Sequence, residues 1–196
     1  MAKREKILAA ASQLFLQHGF EGVSMNELTR RVGGSKTNAY TYFGNKEGLF
    51  AAVVEFLSTA ALRPLKDLEV SDLPLEQALK TLARTYLDVI LEEQVLALHR
   101  LMIAESARFP QLSRVWFTSG PEAVYRIVAA YIAKQQRAGQ LKLGNPRRGA
   151  ALFLDMITFD VHHRTLLGLA PRPSRAELDK LIEDGVETFL RGRKKG

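Results

Sequence analysis

Residues 22–50 read GVSMNELTRRVGGSKTNAYTYFGNKEGLF, and this stretch decides the fold. Ser24 stands three residues before Glu27, which is the pattern of a reciprocal capping box, so a short helix is predicted over residues 25–32. Two glycines break that helix, and the serine after them can cap a second helix over residues 36–42. Two short helices around a glycine turn predict a helix-turn-helix.

Helical periodicity continues on both sides of this motif. Apolar residues at helical spacing predict a first helix from about Lys3 to His18, with Gly19 placed to end it. After the motif, Asn45 can cap a long helix that Arg63-Pro64 should kink or finish, and residues 65–74 have the irregular pattern of a boundary. The whole chain is predicted to be all-α. The remaining predicted helices span about 75–91, 93–108, 111–118, 121–138, 147–168 and 174–191.

The composition is that of a packed globular protein. The chain has 196 residues, of which 46% are hydrophobic and 25% charged, and these values exclude disordered and low-complexity proteins. There is no cysteine, so disulfides, thiolate metal sites and cysteine nucleophiles are excluded. The net charge of +7 favours polyanionic partners. Neither a signal peptide nor a membrane-spanning stretch is visible, so we expect a cytoplasmic protein with no membrane contact.

The stretch from Gly22 to Phe50 closely resembles the DNA-binding domain of TetR-family transcriptional regulators, with the family's spacing over roughly the first fifty residues. The resemblance implies an N-terminal three-helix helix-turn-helix DNA-binding domain at residues 1–48. A larger helical ligand-binding and dimerisation domain would follow at residues 49–196. Gly34 and Ala39 depart from the family, which often has a small apolar turn residue and usually a leucine there, so a looser turn is expected.

Residues of the motif suit DNA contact. Thr37 can touch a thymine methyl group and Asn38 can pair with adenine, because both start the second helix of the motif. Serines at helix N-termini attract phosphate, lysines add charge, and the two tyrosines match positions that commonly touch DNA in the family. Each residue also has a structural alternative, as a cap, a packed ring or a solvated charge. The predicted DNA-binding residues are Ser24, Ser35, Lys36, Thr37, Asn38, Tyr40, Tyr42 and Lys46.

The last two predicted helices differ from the others. The first of them is apolar on two sides, with Ile157 on one and Phe159 on the other, so it needs burial on both. The second carries an apolar stripe with Gly185 inside it, which allows close approach of another helix. Two such helices from each subunit predict an intermolecular four-helix bundle, with dimerisation mainly at residues 147–191. The bundle resembles the family's dimer interface, and a palindromic operator independently needs two recognition helices about 34 Å apart.

The resemblance also implies a pocket for an effector in the larger domain. Aromatic side chains with polar tips can line such a pocket, although each one singly also fits an ordinary core. The function implied is a ligand-responsive transcriptional regulator, expected to be a repressor. It would bind a palindromic operator as a homodimer and be released when a small apolar or amphipathic effector selects another arrangement. The candidate lining residues are Tyr86, His99, Met102, Phe109, Trp116, Phe117, Tyr125, Phe153, Met156, Phe159 and His163.

Other classes of function have weaker support. The best titratable cluster includes Asp160, His162 and His163, but adjacent histidines point in different directions around a helix and cannot serve one site. We therefore expect neither an enzyme nor a bound cofactor. A metal site that combines Asp160 or His163 with the distant His99 stays open. So does a non-specific architectural DNA binder, which the pI of about 9.8 and the basic tail at residues 191–196 favour.

Overall fold

The computed structural model describes residues 3–32 and 41–193, and every regular element in these ranges is a helix. The predicted all-α fold is confirmed. The short helix Arg63–Lys66 was not predicted, and most of the predicted helix over 36–42 lies outside the described residues; the bounds of the other helices differ from the predicted ones by three residues or fewer. Residues 41–43 are also helical. The helices are α1 (Lys3–His18), α2 (Met25–Val32), α3 (Lys46–Ala61), α4 (Arg63–Lys66), α5 (Leu75–Ile90), α6 (Glu93–Glu105), α7 (Pro110–Ser119), α8 (Pro121–Arg137), α9 (Pro146–Leu166) and α10 (Arg175–Arg193).

Local signals in the sequence account for these bounds. Gly19 ends α1 with a positive φ of 68°, which glycine adopts without strain. The side-chain oxygen of Asn145 accepts a hydrogen bond of 3.0 Å from the backbone N–H of Arg148 and so caps α9. At α10 both bonds of the predicted capping box form: Ser174 N–H donates to the Glu177 carboxylate at 2.8 Å, and Glu177 N–H donates to Ser174 Oγ at 3.3 Å.

The long helix after the motif ends where proline approaches. Helix α3 stops at Ala61, and Pro64 lies in the first turn of the four-residue α4, where its missing N–H leaves no helical bond unmade. No helix in the described part of the chain is both long and apolar enough to cross a membrane.

The chain divides into two compact units. Unit 1 consists of Met1–Ala61 and Glu93–Gly120, and unit 2 consists of Leu62–Glu92 and Pro121–Gly196. Each unit has its own cluster of buried apolar side chains. Helices α1, α2, α3, α6 and α7 therefore share one core, and α4, α5, α8, α9 and α10 share the other.

Unit 1 is held together by aromatic rings that come from distant parts of the sequence. Phe15 of α1 and Phe50 of α3 are fully buried, with ring centroids 4.8 Å apart. Phe20, in the loop after α1, packs 5.3 Å from Phe50 and 4.5 Å from Phe109. Such ring pairs add about 0.5–1.5 kcal/mol each beyond their burial. This cluster joins the first helices to the turn between α6 and α7.

Unit 2 places α9 along α8 and packs α10 on α5 and α9. Phe153 and Phe189 lie 5.0 Å apart between α9 and α10. A Cβ atom on Gly185 would come 2.4 Å from Ile157 Cγ1, which is closer than real Cβ contacts allow. Gly185 therefore lets the two helices approach, as its position in the apolar stripe predicts.

The apolar stripes of α9 and α10, which are predicted to pack against a second subunit, differ in how far they are buried within a single chain. Four residues of the α10 stripe, Leu178, Ile182, Val186 and Phe189, are buried inside unit 2 itself, because α5 and α9 already cover them within one chain, whereas the fifth, Leu181, is only partly buried. On α9 the side with Leu154 and Ile157 is buried in the same core. Of the other side, Phe153 is also buried, and its remaining three apolar residues, Leu152, Met156 and Phe159, are exposed and form what we call the open face. The exposed fractions on that open face are 51% for Leu152, 43% for Met156 and 65% for Phe159.

Candidate nucleic-acid interface

Ser24 lies exposed at the N-terminus of α2. Its Oγ accepts a hydrogen bond of 3.1 Å from the backbone N–H of Glu27, and its carbonyl accepts the first helical bond from Leu28. The structure thus shows the Ser24 half of the predicted capping box. The N-terminus of a helix carries a partial positive charge that attracts phosphate, and Ser24 lies exposed at this one.

Tyr42 is 47% exposed, and its neighbour Phe43 is packed against the core of unit 1. The two rings lie 6.1 Å apart, and the guanidinium of Arg4 sits 5.4 Å from the Phe43 centroid. Phe43 therefore anchors the segment, and the phenol of Tyr42 is free to reach a partner. Gly44 follows with a φ of 75° and turns the chain toward α3.

Lys46 opens α3 and is partly enclosed. Its ammonium lies 4.4 Å from the centroid of Phe20, a cation–π contact, and 3.4 Å from the carbonyl oxygen of Glu21. Asn45 caps the same helix, since its Oδ1 accepts a bond of 2.7 Å from the N–H of Gly48. The charge of Lys46 is thus held at a fixed place beside the loop that precedes α2.

Five predicted DNA contacts lie outside the described residues, since residues 33–40 are not among them. These five are Ser35, Lys36, Thr37, Asn38 and Tyr40. The structure describes what borders them on both sides: α2 before, and the helical residues 41–43 after.

Two further candidates were missed by the sequence reasoning. Arg30 and Arg31 form the last turn of α2 and are both exposed. Among the described residues, no carboxylate pairs with either guanidinium. Two adjacent arginines in an eight-residue helix were the signal that could have found them. Both charges are available to phosphate at the edge of the motif.

The predicted effector-lining residues do not form one group within either unit. In unit 1, Met102 and Phe109 are buried core residues, while His99 packs against Trp116 with ring centroids 4.8 Å apart and the rings tilted by 39°. Phe117 is 47% exposed. In unit 2, Phe153 is core, and three residues lie on the open face of α9 or at its border: Met156, Phe159 and His163.

The other two predicted lining residues, Tyr86 and Tyr125, lie in unit 2, and Tyr125 belongs to a polar network there. The Tyr125 hydroxyl donates to Asp155 at 3.0 Å, and the Arg147 guanidinium lies 3.9 Å from the Tyr125 centroid. Arg147 also donates to both carboxylate oxygens of Glu122, and these hydrogen bonds lower the pKa of Glu122. Burial, with the Asp155 charge, raises the pKa of Tyr125 to about 12 and raises the pKa of Tyr86 further. Both phenols stay protonated at neutral pH and can donate hydrogen bonds.

A groove of about 240 Å³ opens between α9 and α10. Its floor is apolar, and the ion pair between Asp160 and Arg164, 2.9 Å long, lies at its edge. The apolar lining residues are Val161, Ala170, Pro173, Leu178 and Leu181. The groove adjoins the open face of α9, since its lining residue Asp160 lies four residues, about one helical turn, after Met156.

The titratable residues weighed as a metal site are engaged elsewhere. Asp160 binds Arg164, and His163 Nδ1 lies 2.7 Å from the carbonyl oxygen of Phe159. His99 belongs to unit 1, whereas the other two belong to unit 2. Within residues 3–32 and 41–193, no three histidine, aspartate or glutamate side chains come together as a metal site requires.

The flanks of the helix-turn-helix, the exposed Ser24 cap and the exposed Arg30 and Arg31 favour a helical DNA-binding protein. Comparison with known families makes this specific. Residues 7–53 match the family described as bacterial regulatory proteins, tetR family, and residues 77–192 match the C-terminal domain of AefR-like transcriptional repressors. The second match alone spans more than half of the chain, and the chain therefore belongs to the TetR family. Members of this family are DNA-binding transcriptional regulators, not enzymes.

Individual relatives agree with this family. The chain is 39% identical over 88 residues to the HTH-type transcriptional regulator RutR of Escherichia coli (strain K12), over 45% of this chain and 41% of RutR. The matched part thus spans about two-fifths of that curated relative. A TetR-family regulator from Mesorhizobium loti is 30% identical, with a TM-score of 0.90 over 98% of this chain and 97% of its own. The flavonoid-responsive regulator FrrA is 32% identical, with a TM-score of 0.87 and the same coverage.

Proposed function

We propose that this chain is a ligand-responsive repressor that binds a palindromic operator as a homodimer and is released by a small apolar or amphipathic effector. The observation that carries the proposal is the open apolar face of α9 on a member of a DNA-binding family. We assign residues 1–48 to DNA binding and residues 49–196 to regulation, with dimerisation mainly at residues 147–191.

The open face of α9 supports a homodimer. Leu152, Met156 and Phe159 follow one another at helical spacing and are all exposed in the single chain. Burying such side chains contributes about 1.5–3 kcal/mol each, so one copy has a strong reason to cover the same face of another. The adjoining groove gives a place for a side chain of the partner. Its edge carries the ion pair between Asp160 and Arg164.

Operator contact is assigned to the motif and its borders. Thr37 and Asn38 read bases, and the other predicted residues hold phosphates: Ser24, Ser35, Lys36, Tyr40, Tyr42 and Lys46. We add Arg30 and Arg31, because both are exposed and without an acidic partner in the described chain.

The similarity to FrrA, which is flavonoid-responsive, supports an aromatic effector with hydroxyl groups. Such a molecule is amphipathic, and the phenols of Tyr86 and Tyr125, which are protonated at neutral pH, could form hydrogen bonds with its hydroxyl groups. Of the predicted lining residues we assign Tyr86 and Tyr125 of unit 2 to the effector, because Met102, Phe109 and Phe153 are core residues. A flat, hydroxylated aromatic compound is therefore the first class of effector to test.

Release of DNA needs a link between effector and motif, and unit 1 contains contacts that can supply one. Glu105, at the end of α6, accepts a bond of 3.2 Å from the backbone N–H of Phe20. Arg108 pairs with Glu21 and lies 5.6 Å from the Phe20 centroid. A shift of α6 would therefore displace the loop between α1 and α2, and with it the start of the motif.

The operator proposal is tested by selecting bound sequences from random duplex DNA with the full chain. We expect a palindrome to be enriched. Thr37→Ala should relax one position of it, and Lys36→Ala should weaken all sites equally. Lys180→Ala, which removes an exposed lysine of α10, is the matched control and should change neither. Enrichment of no sequence at any salt concentration would refute the proposal.

The dimer is tested separately, by sedimentation of Phe159→Glu. A buried charge at the dimer interface should convert the protein to a monomer and remove the palindrome from the selection. Leu73→Glu, at another exposed apolar residue of unit 2, is the control and should stay dimeric.

The effector is tested by adding flavonoids to the operator complex, where release of DNA is expected. A wild-type protein that is monomeric would contradict the proposed homodimer, and an operator complex that no flavonoid releases would contradict the proposed class of effector.

A further inference from the structure

The sequence of unit 2 contains a long stretch without acidic residues. Residues 123–154 hold six lysines and arginines and no aspartate or glutamate, although these two types make up 21 of the 196 residues. Residues 188–196 repeat the pattern, with four cations and no acid. A charge run of this kind is usually just a solvated face, so its arrangement in three dimensions decides what it can do.

The structure brings the two stretches together. The backbone N–H of Lys142 donates to the carbonyl oxygen of Arg193 at 2.8 Å, and its ammonium lies 3.4 Å from the carbonyl of Gly192. Gln136, which is buried, donates its side-chain amide to the Lys142 carbonyl at 2.9 Å. Leu141 is 2% exposed and pins the same loop. The end of α8, the start of α9 and the end of α10 therefore form one fixed surface.

Most cations of this surface have no acidic partner. Arg147 pairs with Glu122, and Arg191 pairs with Glu187. Four others are exposed, and within the described chain no carboxylate pairs with them. We call them the basic end: Lys134, Arg137, Lys142 and Arg148.

Helix dipoles do not account for this charge. Two helix C-termini and one N-terminus meet here, which leaves about half a negative charge, because each end carries roughly half a unit. One lysine or arginine would offset that. The basic end has four, and the sequence adds Lys194 and Lys195 directly after Arg193. Their mutual repulsion destabilises the surface unless a polyanion covers it.

We propose that the basic end binds the phosphate backbone of duplex DNA without reading its sequence, as a second DNA contact apart from the helix-turn-helix. Duplex DNA carries one negative charge per about 1.7 Å of its axis, so several cations on neighbouring helix ends can meet several phosphates at once. Lysine and arginine both suit this task, since it needs charge and no base contact. The contact goes beyond operator reading and does not depend on it.

The test uses the full chain and a duplex of about 30 base pairs that lacks the selected operator. Its affinity is measured between 50 and 200 mM salt for the wild type and two variants, each with four cations changed to glutamine. The first variant is Lys134→Gln, Arg137→Gln, Lys142→Gln and Arg148→Gln. The control removes the same charge from exposed positions elsewhere in unit 2, and consists of Arg63→Gln, Lys66→Gln, Arg175→Gln and Lys180→Gln.

The two variants should separate clearly. The logarithm of affinity falls with the logarithm of salt concentration, and each lost phosphate contact makes this slope less steep by about 0.9. Losing four contacts therefore makes it less steep by about 3.6. Over a fourfold rise in salt, the wild type should then lose about 10²-fold more affinity than the basic-end variant. The control should keep the wild-type slope. Equal slopes for both variants would overturn the proposal. So would an unchanged DNA slope in a variant that loses binding to vesicles of anionic lipid, because that result would assign the surface to a membrane.

Discussion

The close contact between α9 and α10 can be tested by adding one methyl group. Gly185→Ala places a Cβ atom 2.4 Å from Cγ1 and 3.0 Å from Cδ1 of Ile157, whose side chain is 1% exposed. Ile157 cannot swing into solvent, so the helices must separate or the side chain must leave its rotamer. Inserting such an extra methyl into a packed core costs about 1–3 kcal/mol.

A second glycine provides the control. Gly149 of α9 is also buried and also faces an isoleucine, Ile132, but a Cβ there would meet it at 3.6 Å, an ordinary contact distance. Both substitutions gain up to about 1 kcal/mol from helix propensity. The difference between Gly149→Ala and Gly185→Ala therefore reports the clash itself, and we expect Gly185→Ala to be less stable by about 1–3 kcal/mol.

The assay is urea unfolding followed by circular dichroism at one protein concentration, because dimerisation makes apparent stability depend on concentration. Ile157→Ala should cost about 2–5 kcal/mol alone, but it removes the atom that clashes. In the double variant the new methyl of Gly185→Ala should then be favourable, which gives a coupling free energy of about 1 kcal/mol or more. Equal stability of Gly185→Ala and Gly149→Ala would refute the reasoning.

Three further results are expected. Tyr125, with a pKa of about 12 beside Asp155, releases its proton more readily when unfolded, so stability should fall as the pH rises from 10 toward 12. Tyr125→Phe should reduce that fall in urea unfolding; an identical fall would contradict it. Ser174 lowers the pKa of Glu177, so the carboxylate should stabilise α10 at neutral pH and lose this effect as the pH drops below about 4. Glu177→Ala should therefore lower the Tm at pH 7 but not at pH 3, and equal losses at both would exclude this origin. Phe109→Ala should lower the free energy of unfolding by about 3–5 kcal/mol. A loss below about 1 kcal/mol would mean that the contacts of the Phe109 ring contribute little to the stability of unit 1.

The sequence was sufficient to predict the helices because residues close in sequence determine where each helix begins and ends. Gly19, Asn45 and the Ser174 capping box each act within four residues, and the structure finds a helix end at each of them. Ser24 behaves in the same way for α2. Where a signal is local, the residues that cause it and the structure that results are neighbours in the chain.

The partner of an apolar stripe could not be predicted in this way. Helical periodicity states which side of α10 is apolar, but not whether α5 of the same chain or another subunit covers it. The pattern on α9 was more informative, because two apolar sides cannot both meet one core. One of them is buried in unit 2, and the other, with Met156 and Phe159, stays open.

The aromatic residues taken as effector-lining show the same limit. Phe109 is of a residue type that can line a pocket. Its ring, however, lies 4.5 Å from that of Phe20, which is 89 residues earlier in the chain, and it belongs to the core that holds the first helices together. Nothing in the sequence around either residue states this pairing, since it depends on how α6 and α7 return to α1 and α3.

That long-range pairing also bears on how regulation would work. The α6–α7 turn holds the loop before α2 by three different means: the Glu105 carboxylate on the Phe20 N–H, the Arg108 pair with Glu21, and the ring of Phe109. A packed aromatic cluster resists gradual deformation, so a displacement of α6 is passed to the loop and not absorbed between them. An effector would then need only to favour one of two positions of α6, and the reach of its action would be set by its difference in affinity for the two. Weakening the Glu105 contact alone, as in Glu105→Gln, should leave the Arg108–Glu21 pair and the ring cluster in place and therefore preserve most of that coupling.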